Sequence, residues 1–185
     1  MQNSGFQGAK RFIKKVYSNF PIGEDATHIG LVVYGKDSRV VFNLINNKDK
    51  ESVDSKVLRA TYPSSDECLL GEGLRTAKEA VFDVSARPGG HQVLVLLAAG
   101  KSNDETKTTS RVLRDNGVTI FGIGIGNMAD IDQLRDTVSA PEEEHLATTN
   151  VEALDRLLSP TVQNIRKGRL KIGRASCRER VYVLV

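Results

Sequence analysis

Val93-Leu94-Val95-Leu96-Leu97-Ala98-Ala99-Gly100 decides how this chain folds. It follows His91-Gln92, runs apolar for seven residues and stops at a glycine. An unbroken apolar run of that length, bounded by turn residues, is a strand buried on both faces. Such strands lie in the middle of parallel sheets covered by helices, and ligands bind just beyond their carboxyl ends. Ala98, Ala99, Gly100 and Lys101 therefore stand where chemistry is expected. Two methyl groups occupy that place.

Upstream, Phe6, Ala9, Phe12, Ile13, Val16, Tyr17 and Phe20 form a helical stripe that ends at Pro21 and Gly23. Lys10, Arg11, Lys14 and Lys15 lie mostly off it and read as a solvated face. His28–Tyr34 and Val40–Leu44 flank Gly35-Lys36-Asp37-Ser38 as a hairpin, and Val53–Arg59 reads as one or two helical turns. After the polar loop Tyr62–Glu67, a helix carries Leu70, Leu74, Ala77, Val81 and Val84 on one face. Gly71 and Gly73 in its first turns point to close backbone approach.

Downstream, Ser102-Asn103-Asp104-Glu105 has the spacing of a capping box, opening a helix that stops at Asn116-Gly117. Val118–Gly126 is the next strand. Asp130–Val138 is a short helix, His145–Thr148 a brief strand, and Asn150 caps a last helix in which Pro160 is expected to produce a kink. Strands alternating with helices imply right-handed βαβ units. The expected fold is α/β: a doubly wound, mostly parallel Rossmann-like sheet with one antiparallel edge strand and helices on both faces.

The 185 residues, 39% hydrophobic, suit one such domain with a full core. A formal charge of +3, from 26 basic and 23 acidic residues, does not call for a polyanionic partner. No apolar run approaches the ~20 residues of a membrane span, and no charged-then-apolar leader is expected in the chain as given. Cys68 and Cys177 are too few for a disulfide framework or a zinc site.

The order of elements resembles the von Willebrand factor type A (VWA) domain. Ile29–Tyr34, Gly71–Leu74, Val93–Gly100 and, most specifically, Gly117-Val118-Thr119-Ile120-Phe121-Gly122-Ile123-Gly124-Ile125-Gly126 carry the likeness, which covers about Met1 to Arg166. Many members hold a divalent cation through three loops, the MIDAS motif, and a partner's carboxylate completes the coordination. The resemblance places an Asp-x-Ser-x-Ser loop ahead of Met1-Gln2-Asn3-Ser4-Gly5-Phe6, so the chain is expected to be a fragment lacking its first strand. The second loop normally supplies a Thr, where Cys68 stands. The third supplies an Asp in Thr-Asp-Gly, where the chain reads Ala98-Ala99-Gly100. Magnesium requires hard oxygen ligands in near-octahedral array; alanine has none, and a neutral thiol is a poor substitute. No metal site and no cofactor are expected. Asp66 and Glu67 read as solvated loop acids rather than replacement ligands.

Ile172–Val181, Ile-Gly-Arg-Ala-Ser-Cys-Arg-Glu-Arg-Val, matches a single-frame translation of a common sequencing adapter. Ile172–Val185 is therefore set aside as non-native, which removes Arg174, Arg178, Arg180, Glu179 and Cys177. The expected organisation is a VWA-like domain over 1–168 and a non-domain tail over 169–185. The alternative is a natural basic tail ending in a strand. In the family the first strand lies beside Val93–Gly100, so its absence leaves an apolar gap and exposed edges. Val181–Val185 is one candidate to fill it.

Gly122-x-Gly124-x-Gly126 is neither a dinucleotide fingerprint nor a phosphate loop and reads as a bare sheet face for helix packing. His28, His91 and His145 are far apart. No nucleophile elbow is present, Cys68 has no activating neighbour, and no aromatic-plus-basic pattern indicates nucleic acid. The resemblance implies a non-enzymatic adhesion module of an extracellular protein. It would bind a protein ligand, collagen or another matrix protein, through loops that include Ser65, Asp66, Glu67, Gly100 and Lys101. The alternatives are an intracellular assembly scaffold and a Rossmann-like nucleotide enzyme.

Overall fold

A computed structural model describes residues 3–45, 49–63, 67–85, 90–171 and 179–184, with backbone alone for 3, 85, 168–171 and 179–184. Ser65, Asp66 and Cys177 lie outside the described residues, as does most of Ile172–Val181.

Helix α1 (Asn3–Tyr17) buries the predicted stripe, from Phe6 through Tyr17. Its basic face is not simply solvated. Lys10 is 5% exposed, and its ammonium donates to the carbonyls of Leu58 (2.9 Å) and Ala60 (3.0 Å). It therefore satisfies the C-terminus of a neighbouring helix, where a cation is favoured. Lys14 pairs with Asp54 at 2.9 Å and Lys15 with Asp155 at 2.5 Å.

Strands β1 (His28–Tyr34) and β2 (Ser38–Phe42) form the antiparallel hairpin, with Tyr34 opposite Ser38. The second strand starts two residues earlier than its apolar run suggested. Helix α2 (Lys50–Arg59) is longer than expected because Asp49 caps it, its carboxylate accepting from the Ser52 amide at 2.7 Å. Helix α3 (Leu70–Ala77) continues through a π-helical turn, Lys78–Phe82. The extra residue in that turn rotates Val84 out of the expected stripe, to 52% exposure, while Phe82 is buried.

Strand β3 (His91–Ala98) is buried on both faces, as its apolar run requires. Val93, Val95 and Leu97 join one core and Leu94, Leu96 and Ala98 the other. Helix α4 (Lys107–Asp115) and strand β4 (Val118–Ile125) follow. Next come α5 (Ile131–Thr137), the single turn α6 (Glu142–His145) and β5 (Leu146–Thr149). Val151–Leu157 is a 3₁₀ segment capped by Asn150, and it leads into α7 (Leu158–Lys171). Pro160 falls in the first turn of α7 instead of kinking a continuous helix; there its missing N–H has no helical carbonyl to meet.

The sheet order is β2-β1-β6-β3-β4-β5, with β6 spanning Glu179–Leu184. Every neighbouring pair except β1/β2 is parallel. The core against one face draws on α1, α2 and α7, and that against the other on α3, α4 and α5. The doubly wound sheet is therefore present. The expected gap between β1 and β3 is filled by the backbone of a segment that the sequence reading set outside the domain. Ile29 pairs with Val181 on one side of β6, and Val93 pairs with Val181 on the other.

One junction in the α1/α2 layer gives a pH prediction. Tyr17 donates its hydroxyl to Asp54 at 2.6 Å, beside the Lys14 ion pair. Burial works against the Asp54 charge, but these partners hold its carboxyl below the usual carboxylate range. Its charge adds stability at neutral pH, and that contribution is lost as pH falls below about 4 and through the lowered native value. The urea midpoints of the wild type and Asp54→Asn are expected to differ at pH 7 and to converge toward pH 2. A constant difference would contradict this origin.

Candidate functional site

Three loops meet at the carboxyl ends of β3 and β4: the segment between α2 and α3, the turn after β3 and the turn after β4. Their tie-points are side chains of the second loop. Asn103 accepts from the Cys68 amide through Oδ1 (3.0 Å), and its own amide donates to the Cys68 carbonyl (2.7 Å). Ser102 Oγ accepts from the Leu70 amide at 2.9 Å. Asp104 accepts from the amides of Gly71 (2.8 Å) and Glu72 (2.7 Å), one on each carboxylate oxygen. An anionic acceptor thus meets the amides of the first turn of α3, where the helix dipole favours negative charge.

This corrects the capping-box reading. Ser102 and Asp104 cap α3, across the loop, and not the helix that follows them. Glu105, one residue ahead of the α4 N-cap position Thr106, is the side chain that meets the first turn of α4, accepting from the Thr108 amide at 2.8 Å. The close approach expected at Gly71 is real: a Cβ placed there would lie 2.0 Å from the Glu105 carbonyl oxygen and 2.9 Å from an Asp104 oxygen.

The third loop is joined to the second. The Ser102 amide donates to Gln133 Oε1 at 2.7 Å. Asp130 caps α5 through the Gln133 amide at 3.0 Å and faces the exposed Lys101 at 3.3 Å. The Gln133 amide, and then Lys101, hold its carboxyl below the ordinary range. Beneath the turn, buried Tyr34 donates its hydroxyl to the Leu97 carbonyl at 3.0 Å.

Cys68, Gly100 and Lys101 lie on this rim, and Glu67 is exposed beside Cys68. Ala98 is buried, while Ala99 and Gly100 are partly open, with no atom within 4 Å of a Cβ placed at Gly100. Burial, and then the charge of Asp104, push the Cys68 thiol up. It should therefore alkylate with iodoacetamide at pH 7.5 at least several-fold more slowly than a free cysteine, measured in a Cys177→Ser background. An equal or faster rate would contradict that environment.

The resemblance implies a divalent cation at this rim. Cys68 offers a thiol held in its neutral form, and Ala98 and Ala99 offer none of the hard oxygens magnesium needs. Asp104 is committed to two amides and Asp130 to an amide and an ammonium. Among the described residues, no three His, Cys, Asp or Glu side chains converge as ligands would. This donor set does not fit a divalent cation.

The glycine ladder of β4 serves packing. A Cβ at Gly122 would lie 2.6 Å from Val138 Cγ1, and one at Gly124 would lie 2.9 Å from Ile131 Cδ1. Helix α5 thus rests on a bare stretch of sheet. The histidines bond separately: His28 to the Glu24 carbonyl, His91 to Thr119 Oγ1, and His145 to the Pro141 carbonyl.

The profile of the von Willebrand factor type A domain matches residues 1–160. The chain belongs to the von Willebrand factor type A family. This VWA chain is 33% identical over 148 residues to the human collagen alpha-1(XX) chain, covering 76% of itself and 11% of that protein. It is 28% identical over 142 residues to chicken matrilin-1, covering 76% of itself and 28% of matrilin-1. It thus spans under a third of either relative. The fold matches proximal thread matrix protein 1 of the mussel byssus with a TM-score of 0.81 at 22% identity, over 89% of this chain and 43% of that one. A further structure of the mussel protein has zinc occupying its MIDAS motif. Among the described residues of the present VWA chain, no helix is long and apolar enough to cross a membrane.

Proposed function

We propose that this VWA domain is a non-enzymatic protein-binding module of an extracellular matrix or cell-adhesion protein, and that it binds without a bridging cation. The similarity to collagen and matrilin chains supports the matrix setting and a matrix-protein partner, with collagen as the first candidate. One observation carries the cation-free reading: Ala98-Ala99-Gly100 stands at the rim with every nearby described carboxylate already engaged. The loops are held by Ser102, Asn103 and Asp104, so the rim keeps its shape through hydrogen bonds between protein groups. A preformed surface of this kind loses little entropy on binding. Catalysis finds no support in the raised Cys68 thiol or in the separately bonded histidines.

Calorimetric titration of the domain with magnesium or manganese is expected to give no saturable heat in the micromolar range. Its binding to immobilised collagen is expected to be equal in EDTA and in millimolar magnesium. Micromolar saturation by either ion would overturn the cation-free mechanism. Absence of collagen binding in both buffers would remove collagen as the partner.

A further inference from the structure

Away from the rim, residues of β4, α6, β5 and the start of α7 enclose a pocket of about 80 Å³. That is more than the ~30 Å³ share of one water and less than the ~150 Å³ of a cavity that takes benzene, so it suits a group of a few heavy atoms. The rings of Phe121 and His145, with centroids 4.6 Å apart, and the side chains of Leu146 and Leu157 supply its apolar wall.

The polar groups on that wall share one property: each has an acceptor left open. Thr161 is 8% exposed, and its hydroxyl makes no hydrogen bond among the described residues. The oxygen is not sealed into the core, so it opens on the pocket that the residue lines. A helical threonine can return its hydroxyl to the carbonyl four residues back; this one does not. Asn164 commits its amide nitrogen to the Glu144 carbonyl at 2.8 Å, which leaves Oδ1. His145 Nδ1 lies 2.8 Å from the Pro141 carbonyl. A carbonyl only accepts, so Nδ1 carries the hydrogen and Nε2 is the acceptor of the neutral ring. Of the acidic residues in α6, Glu142 is held by Arg135 at 2.8 Å. Glu143 is exposed, lines the pocket and has no ion-pair partner among the described residues.

We propose that this pocket receives the guanidinium of an arginine side chain from the domain's protein partner; that the occupant belongs to a protein rests on the binding-module reading above. Several open acceptors, one of them charged, beside aromatic rings call for a planar cation rich in donors. A guanidinium has five N–H donors and no acceptor, stacks on aromatic faces and is weakly hydrated. An ammonium is a strongly hydrated point charge with fewer donors. A neutral amide would set its own carbonyl against the acceptors of the wall. A ligand without donors would leave the Thr161 hydroxyl unpaired, and that penalty sharpens the choice.

The test titrates the isotope-labelled full chain with N-acetyl-arginine methylamide and follows its amide resonances by NMR. Saturable shifts are expected at Gly122, at Ala147 and at the Asn164 side-chain amide, with the millimolar dissociation constant of so small a ligand. The citrulline analogue has the same shape without the charge and should bind about tenfold more weakly. The lysine analogue should also bind more weakly. Glu143→Gln should weaken arginine binding by roughly threefold, as for an exposed charge. Thr161→Val should weaken it by roughly fivefold, while Thr161→Ser, which keeps the hydroxyl, should not. The proposal is overturned if no saturable shift appears at these groups, if citrulline matches arginine, or if both Glu143→Gln and Thr161→Val bind like wild type. Equal binding of the lysine analogue overturns the guanidinium assignment. A domain that binds a matrix protein but not the arginine probe keeps the module and loses this pocket. A domain that binds the probe but no matrix protein loses the module, and with it the pocket's protein occupant.

Discussion

Gly71→Ala is expected to lower the stability of the domain by about 3 kcal/mol, near the upper end for an overpacked site. The added methyl would sit 2.0 Å from the Glu105 carbonyl oxygen and 2.9 Å from an Asp104 oxygen. The first obstacle is backbone, so no rotamer change relieves it. Helix α3 must move away from the loop, and its amides then lose their acceptors on Asp104. For a domain of this size the melting temperature should drop by roughly 6–12 °C. Ordinary helix propensity predicts the opposite sign, since alanine favours a helix over glycine by about 1 kcal/mol. A melting temperature at or above wild type would show that the close approach does not exist in solution.

Asp104→Ala is expected to cost about 2 kcal/mol. It leaves the Gly71 and Glu72 amides without their acceptor at a part-buried helix end, where a lost cap costs about 1 kcal/mol and an orphaned donor somewhat more. Asp104→Asn keeps one acceptor oxygen and should lose about half as much. Hydrogen exchange at the two amides should accelerate in Asp104→Ala, separating this cause from general destabilisation. Unchanged exchange there would contradict the assignment. The two substitutions should not add, because Asp104 is among the atoms that the Gly71 methyl meets. The double variant should be less destabilised than the sum of the singles.

The same region shows how far the primary structure can be read. Gly71 could be marked as a point of close approach because a glycine in a first helical turn has few other uses. What approaches it could not be named. Ser102 and Glu105 have the spacing of a local capping box, yet Ser102 and Asp104 bond to amides some thirty residues upstream. Local spacing carries no information about which helix end a loop will meet. Lys10 is a comparable case. Its long aliphatic stem lets the ammonium reach past the buried stripe to the end of α2, a destination invisible in α1 alone. Val84 left its expected face because one π-helical turn changed the phase. Asp130 capping α5 and Asn150 capping the 3₁₀ segment both lie next to the turns they serve, and both were open to local reading.

Sequence alone determined the apolar β3, the hairpin, the amphipathic α1, the bare glycine face of β4 and the methyl-lined turn at Ala98-Ala99-Gly100. Each follows from side-chain periodicity or from the chemistry of residues adjacent in the chain. Tertiary structure alone decided which acceptors hold the first turn of α3, where Lys10 ends, and that Glu179–Leu184 stands between β1 and β3. Those outcomes depend on backbone donors and acceptors. Every residue but proline carries both, so residue identity says nothing of which distant partner will satisfy them.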